Sequence, residues 1–148
     1  MTSGNGPLLF IIGSSHEQAN LQNRETFSLK KDQAEALASD LMQNESIDEC
    51  LILNTCNRLE IYAVSNQIKS IDDLDQFICS HHILKDTSFP KYNFTKTQTD
   101  AIEHTFKLSS GLASQMIGET EILGQMKQAY THAKQSEYTK KTLIRLFE

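Results

Sequence analysis

The run Leu51-Ile52-Leu53-Asn54-Thr55-Cys56-Asn57-Arg58-Leu59-Glu60 sets a cysteine between two strand-like segments, with a guanidinium two residues beyond it. A thiol there is a candidate nucleophile. A free thiol is only a few per cent ionised near neutrality, and a nearby cation lowers its pKa by stabilising the thiolate. Residues two apart in an extended segment point the same way, so Arg58 is placed to do this for Cys56. A second reading stands beside it: free cysteine is commonly buried, which would make Cys56 a small core residue and Arg58 a surface charge. His104 is open in the same way, either as a general acid or base titrating near neutrality or as a structural histidine on a helix. Cys79-x-His81-His82 holds possible metal ligands, but adjacent residues rarely converge on one ion and no second cluster completes a tetrahedral set, so no metal is expected.

These side chains need elements to hold them. Leu8 to Gly13 predicts a strand turning at Gly13-Ser14-Ser15. Ser28 can cap a helix to about Gln43, with Leu29, Ala34, Leu37, Ala38 and Leu41 along one side, although Lys30 and Lys31 oppose its dipole. Cys50 to Leu53 reads as a short apolar strand. Leu59, Ile61 and Ala63 then alternate with Glu60, Tyr62 and Val64 as in a half-buried strand, which leaves Cys56 in the turn between them. A loop held by two strands aims a side chain with little freedom. A helix from about Ser70 to Ile83 turns Ile71, Leu74, Phe77 and Ile78 inward, and Phe89 to Phe94 predicts an edge strand with Pro90 near its start.

The order β-α-β-β-α-β over residues 1–95 predicts an α+β fold, a ferredoxin-like split βαβ sandwich. Residues 96–148 read as a C-terminal helical segment. Thr97 and Asp100 approximate a capping box for a helix through Ala101, Phe106 and Leu108 to Gly111. A second helix runs from about Glu119 to Ser136 with Ile122, Leu123, Met126, Ala129 and Ala133 on its apolar side. A last one starts near Thr139 and carries Leu143, Ile144, Leu146 and Phe147. So apolar a tail predicts that the chain is part of a longer protein.

At 148 residues the chain suffices for one domain and needs no staples. With 39% hydrophobic and 22% charged residues it reads as globular, and without a membrane span or signal peptide the cytoplasm is the expected compartment. Cys50, Cys56 and Cys79 contain no C-x-x-C pair, so reduced thiols are expected. A net charge of −5 argues against general adhesion to phosphate backbones. The basic residues Lys127, Lys134, Lys140, Lys141 and Arg145 suit either a local RNA contact or a solvated helix face. No G-x-G-x-x-G or Walker loop is present to cradle a nucleotide.

Three segments together resemble one family. Thr55-Cys56-Asn57-Arg58-Leu59-Glu60, the stretch from His104 to Ser114, and Gly118-Glu119-Thr120-Glu121-Ile122-Leu123-Gly124-Gln125-x-Lys127-x-Ala129-Tyr130 resemble the N-terminal catalytic domain of glutamyl-tRNA reductase, in that family's order and spacing. Gly13-Ser14-Ser15-His16 with Arg24-Glu25 resembles the family's start more loosely. The resemblance implies thiol attack on the ester joining glutamate to its tRNA, then reduction of the thioester by NADPH to glutamate-1-semialdehyde, the first step of the five-carbon route to tetrapyrroles such as heme. It assigns Cys56 as nucleophile and His104 as the histidine important for activity, with Thr55, Asn57, Arg58, Ser114, Glu119, Thr120, Glu121 and Gln125 around the glutamyl group.

The substrate's γ-carboxylate suits the Arg58 fork, and Glu119 or Glu121 can accept from its ammonium. Anchoring a carboxylate and stabilising a thiolate compete for the single Arg58 charge; the anchor is the favoured role. Two positions depart from the family: Ala113 where many members carry an acidic residue, and Thr120-Glu121 in place of Pro-Gln. Family members carry an NADPH-binding domain and a C-terminal dimerisation domain, which the resemblance implies lie outside these residues, and it implies a homodimer with possible channelling to the next tetrapyrrole enzyme and no membrane. The rival readings are a thiol esterase or acyltransferase using Cys56 and a noncatalytic RNA-binding module; the latter lacks the aromatic stacking motif of an RRM.

Overall fold

In a computed structural model the described residues are 8–15, 29–55, 58–66, 71–85, 89–110 and 122–148. They form β1 (Leu8–Ser15), α1 (Lys31–Met42), β2 (Ile47–Asn54), β3 (Arg58–Ser65), α2 (Ile71–Ser80), α3 (Phe89–Tyr92), β4 (Phe94–Thr97), α4 (Gln98–Ser109), α5 (Ile122–Gln135) and α6 (Lys141–Phe147). The strands make one sheet in the order β2-β3-β1-β4, and every neighbouring pair is antiparallel. β3 therefore lies between β1 and β2, and β1 between β3 and β4.

The apolar run of β1 is a strand buried on both faces. On one face Phe10, Ile12, Cys50, Leu59, Ile61 and Ala63 pack with Leu37 and Leu41 of α1 and Leu74 and Ile78 of α2. On the other, Leu9, Ile11, Leu51, Leu53, Tyr62 and Val64 pack with Ala101 and Leu108 of α4, Ile122 and Met126 of α5 and Leu143 of α6. Each such aliphatic side chain contributes about 1.5–3 kcal/mol by leaving water. The helices after residue 97 thus cover the face that a two-layer sandwich would leave open. For that reason β3 is buried at every position, not half-buried as its alternation suggested. Among the described residues no helix is long and apolar enough to cross a membrane.

Several local expectations shift. The fourth strand is Phe94–Thr97, not 89–94: Phe89 to Tyr92 form a helical turn led by Pro90, which favours the first turn of a helix and supplies no ladder N–H. Helix α1 is capped at Lys30, whose N–H donates to Gln33 Oε1 at 2.9 Å; Ser28 lies outside the described residues. Thr97 is the N-cap of α4, but its side chain makes no capping bond. Phe77 and Leu123 are exposed rather than inward-facing, because each sits at the margin of its helix's apolar stripe, and Phe106 is exposed on the side of α4 away from Ala101 and Leu108.

Two further features fix the sheet's interior. A register shift between Ile47 and Glu49 precedes the point where Glu49 turns inward, and its carboxylate accepts from the N–H groups of Lys140 (2.7 Å), Leu143 (2.8 Å) and Thr142 (3.3 Å) at the start of α6. Gly13 pairs with Glu60 across β1 and β3. A Cβ there would lie 2.8 Å from Glu60 Cγ and 3.1 Å from the Phe94 ring, so the missing side chain is what admits the glutamate.

Candidate active site

Strand alternation puts Arg58, Glu60 and Tyr62 on the same face of β3, the face covered by α4, α5 and α6. Glu60 is fully buried at their centre. Arg58 Nη1 lies 2.8 Å from Glu60 Oε2, His104 Nε2 of α4 lies 2.9 Å from the same oxygen, and the Tyr62 hydroxyl donates to Oε1 at 2.8 Å. The His104 ring also rests against Phe94, with centroids 5.4 Å apart. Arg58 is 1% exposed, so it is no surface charge.

Burial pushes the Glu60 carboxyl up, but the hydrogen bond and charge of His104, the Arg58 guanidinium and the Tyr62 hydroxyl outweigh it and hold the group below its ordinary 4.5. Burial first, then the Glu60 charge and hydrogen bond, drive the Tyr62 phenol well above 10, which keeps it a donor. The site is thus a buried carboxylate matched by a guanidinium, with an imidazole and a phenol tied to the same two oxygens.

The neighbours of the cysteine motif are pinned. Thr55 N–H donates to Arg58 O at 2.9 Å, and Arg58 N–H donates to Thr55 Oγ1 at 3.1 Å, so the chain leaves β2 and enters β3 across a closed step. Cys56 and Asn57 lie outside the described residues, as do Ser114, Glu119, Thr120 and Glu121. The structure brings Arg58 and His104 together through Glu60, with Thr55 bonded to Arg58. Gln125 is placed elsewhere: it lines a cavity of about 530 Å³ at the β2 edge, between α1 and α5, with Leu53, Asn54, Ala129 and His132, and neither Arg58 nor His104 lines that cavity.

The other described cysteines are poor nucleophiles. Burial pushes the Cys50 thiol up to about 12, and burial together with the Asp75 carboxylate does the same at Cys79. His81 Nε2 meets Asp40 Oδ2 at 2.7 Å while its Nδ1 accepts from Ile83 N–H at 3.2 Å, which engages both ring nitrogens. Among the basic C-terminal residues, Lys134 pairs with Glu148 at 3.5 Å.

Glu60 and Tyr62 are the site residues that sequence reasoning missed. The alternation Arg58-x-Glu60-x-Tyr62 was visible, but a half-buried strand assigns such a polar face to water. The signal available was the second covering layer: a chain with three apolar helices after its last strand has to place them against something.

Residues 12–148 match the family model described as "Glutamyl-tRNAGlu reductase, N-terminal domain". The chain is 37% identical over 123 residues to a protein of Heliobacterium mobile named glutamyl-tRNA reductase, covering 82% of this chain and 28% of that protein. It is 36% identical over 142 residues to one of the same name from Legionella pneumophila (strain Corby), covering 95% of this chain and 33% of that protein. Among solved structures, glutamyl-tRNA reductase from Methanopyrus kandleri superposes with a TM-score of 0.72 at 29% identity, over 94% of this chain and 31% of that one. The chain therefore spans about a third of the length of these relatives, and it belongs to the glutamyl-tRNA reductase family as an N-terminal domain.

Proposed function

We propose that this chain is the acyl-accepting domain of a glutamyl-tRNA reductase, in which Cys56 attacks the ester of glutamyl-tRNA. The Cys56 sulfur bonds to the ester carbonyl carbon, the bond from that carbon to the ribose oxygen breaks, and the thiol proton ends on the released ribose hydroxyl. The product is a glutamyl thioester on the protein and free tRNA. A thioester is easier to reduce to an aldehyde than the ester it replaces, which divides the reaction into two steps. The observation that carries the reading is the buried Arg58–Glu60–His104 cluster, whose first member follows Cys56 by two residues.

Arg58 keeps Glu60 as its buried counter-ion through Nη1 and reaches the γ-carboxylate of the substrate through its other guanidinium N–H groups, and His104 relays the thiol proton to the ribose oxygen. Asn57, Ser114, Glu119, Thr120 and Glu121 complete the glutamyl pocket, with the helical part after residue 96 closing it, while Gln125 lines the separate cavity at the β2 edge. The nicotinamide cofactor belongs to another part of the protein: the sequence holds no glycine-rich strand-to-helix turn for a dinucleotide, and no hydride step is assigned to these residues. The same reading gives the complete protein NADPH dependence, a place in cytoplasmic tetrapyrrole synthesis, a homodimeric state and possible transfer of its product to the next enzyme.

The test is to incubate the chain and its Cys56→Ser variant with glutamyl-tRNA and trap acyl-protein under acid. Glutamate on the wild type alone is the expected outcome. Glutamate released without trapped label would favour a thiol esterase, and bound tRNA without acylation would favour a binding module; neither is compatible with the proposal.

A further inference from the structure

Glu60 is outside the set of residues that the family resemblance assigns to the glutamyl group, yet it is fully buried and receives three side chains. A neutral imidazole carries hydrogen on one nitrogen and a lone pair on the other. At 2.9 Å from the Glu60 carboxylate, an unprotonated Nε2 would aim its lone pair at an anion, so Nε2 carries the hydrogen and donates it. Nδ1 then bears the lone pair, and among the described residues it has no hydrogen-bond partner. A half-turn of the ring would put Cε1 in the place of Nε2 and forfeit the contact with Glu60. Glu60 is itself held by Arg58 and Tyr62, and the Phe94 ring lies against the imidazole.

We infer that Glu60 is a positioning residue: it fixes His104 as the Nε2–H tautomer and thereby makes Nδ1 the nitrogen that exchanges the proton during acyl transfer. The inference rests on the reading of Cys56 as acyl acceptor for its chemistry, and on the Glu60–His104 contact for its geometry. The charged groups around the ring are Glu60 and Arg58 on β3, Lys96 on β4, whose ammonium lies 5.7 Å from the Phe94 ring centroid, and Asp100 and Lys107 at helical spacing on α4. Glu60 is the carboxylate in direct contact with the ring.

Nitrogen-15 NMR of the imidazoles in the 148-residue chain tests the geometry without any activity, with His104→Gln identifying the resonance. The expected result is a neutral His104 in the Nε2–H form, and in Glu60→Gln a loss of that tautomeric preference. A neutral Nδ1–H ring in the wild type, or an unchanged tautomeric preference in Glu60→Gln, overturns the inference. The wild-type tautomer decides even if the variant does not fold. For the chemistry, acylation of Cys56 is timed in Glu60→Gln, His104→Gln and the double variant. Glu60→Gln is expected to be slower by about 100-fold, and the double variant no slower than His104→Gln alone. Losses that multiply would give Glu60 a separate, structural role and refute positioning through His104. A wild type with the expected tautomer that accepts no glutamate would refute the acyl-acceptor reading and leave the geometric assignment standing.

Discussion

A carboxylate removed from water survives only where its charge is matched and its oxygens are occupied, and Glu60 meets both conditions through Arg58, His104 and Tyr62. Removing the matching charge should therefore be severe. Arg58→Met is expected to destabilise the fold by about 3 kcal/mol or more in urea titrations, since it leaves a buried charge without its counter-ion. The pH dependence has a definite sign. The folded-state pKa of Glu60 lies below its ordinary 4.5, so its contribution to stability is fully present above that value and is lost as the pH falls through the depressed one. Wild-type stability should drop on acidification below about 4.5, and Glu60→Gln should flatten that limb while being less stable at neutrality. An unchanged acid limb in the variant would mean that Glu60 is not the group responsible.

Strand β3 converts this chemistry into position. Period-two alternation alone brings Arg58, Glu60 and Tyr62 to one face, but room for a glutamate between paired strands depends on Gly13 directly opposite. A methyl group at Gly13 would meet Glu60 Cγ at 2.8 Å and the backbone oxygen of Leu59 at 3.1 Å, and the backbone has little freedom to yield. Gly13→Ala is expected to cost about 1–3 kcal/mol and to disturb the His104–Glu60 contact, visible as a displaced His104 imidazole signal. An alanine variant as stable as the wild type, with that signal unmoved, would show that the close approach is not tight.

The arrangement of the layers determines how the C-terminal helices reach the sheet. Helix α6 begins with Lys141, a charge that opposes its dipole, and the Glu49 carboxylate from β2 places a negative charge at the helix start and accepts from its unpaired N–H groups. This ties residues 91 and 94 positions apart in the chain. Glu49→Gln keeps one acceptor oxygen and loses the charge, so stability should fall by about 1 kcal/mol, with amide exchange at Lys140 and Leu143 faster by about fivefold. Exchange confined to its wild-type rate would place the anchoring of α6 in Leu143 and its apolar neighbours instead.

The local pattern of the chain was enough to give the α+β class, the order of the four strands and their main helices, and the cysteine motif with its arginine, because apolar periodicity and turn chemistry are properties of neighbouring residues. It was also enough to single out His104. The burial of Arg58, the convergence of Glu60 and Tyr62 on His104, and the separate location of Gln125 came from contacts between distant segments, as did the cap that Glu49 places on α6. A strand's polar face reads the same whether water or a layer of helices lies over it. Only the packing of α4, α5 and α6 on the sheet removed the water, and with the water gone the same residues had to satisfy one another.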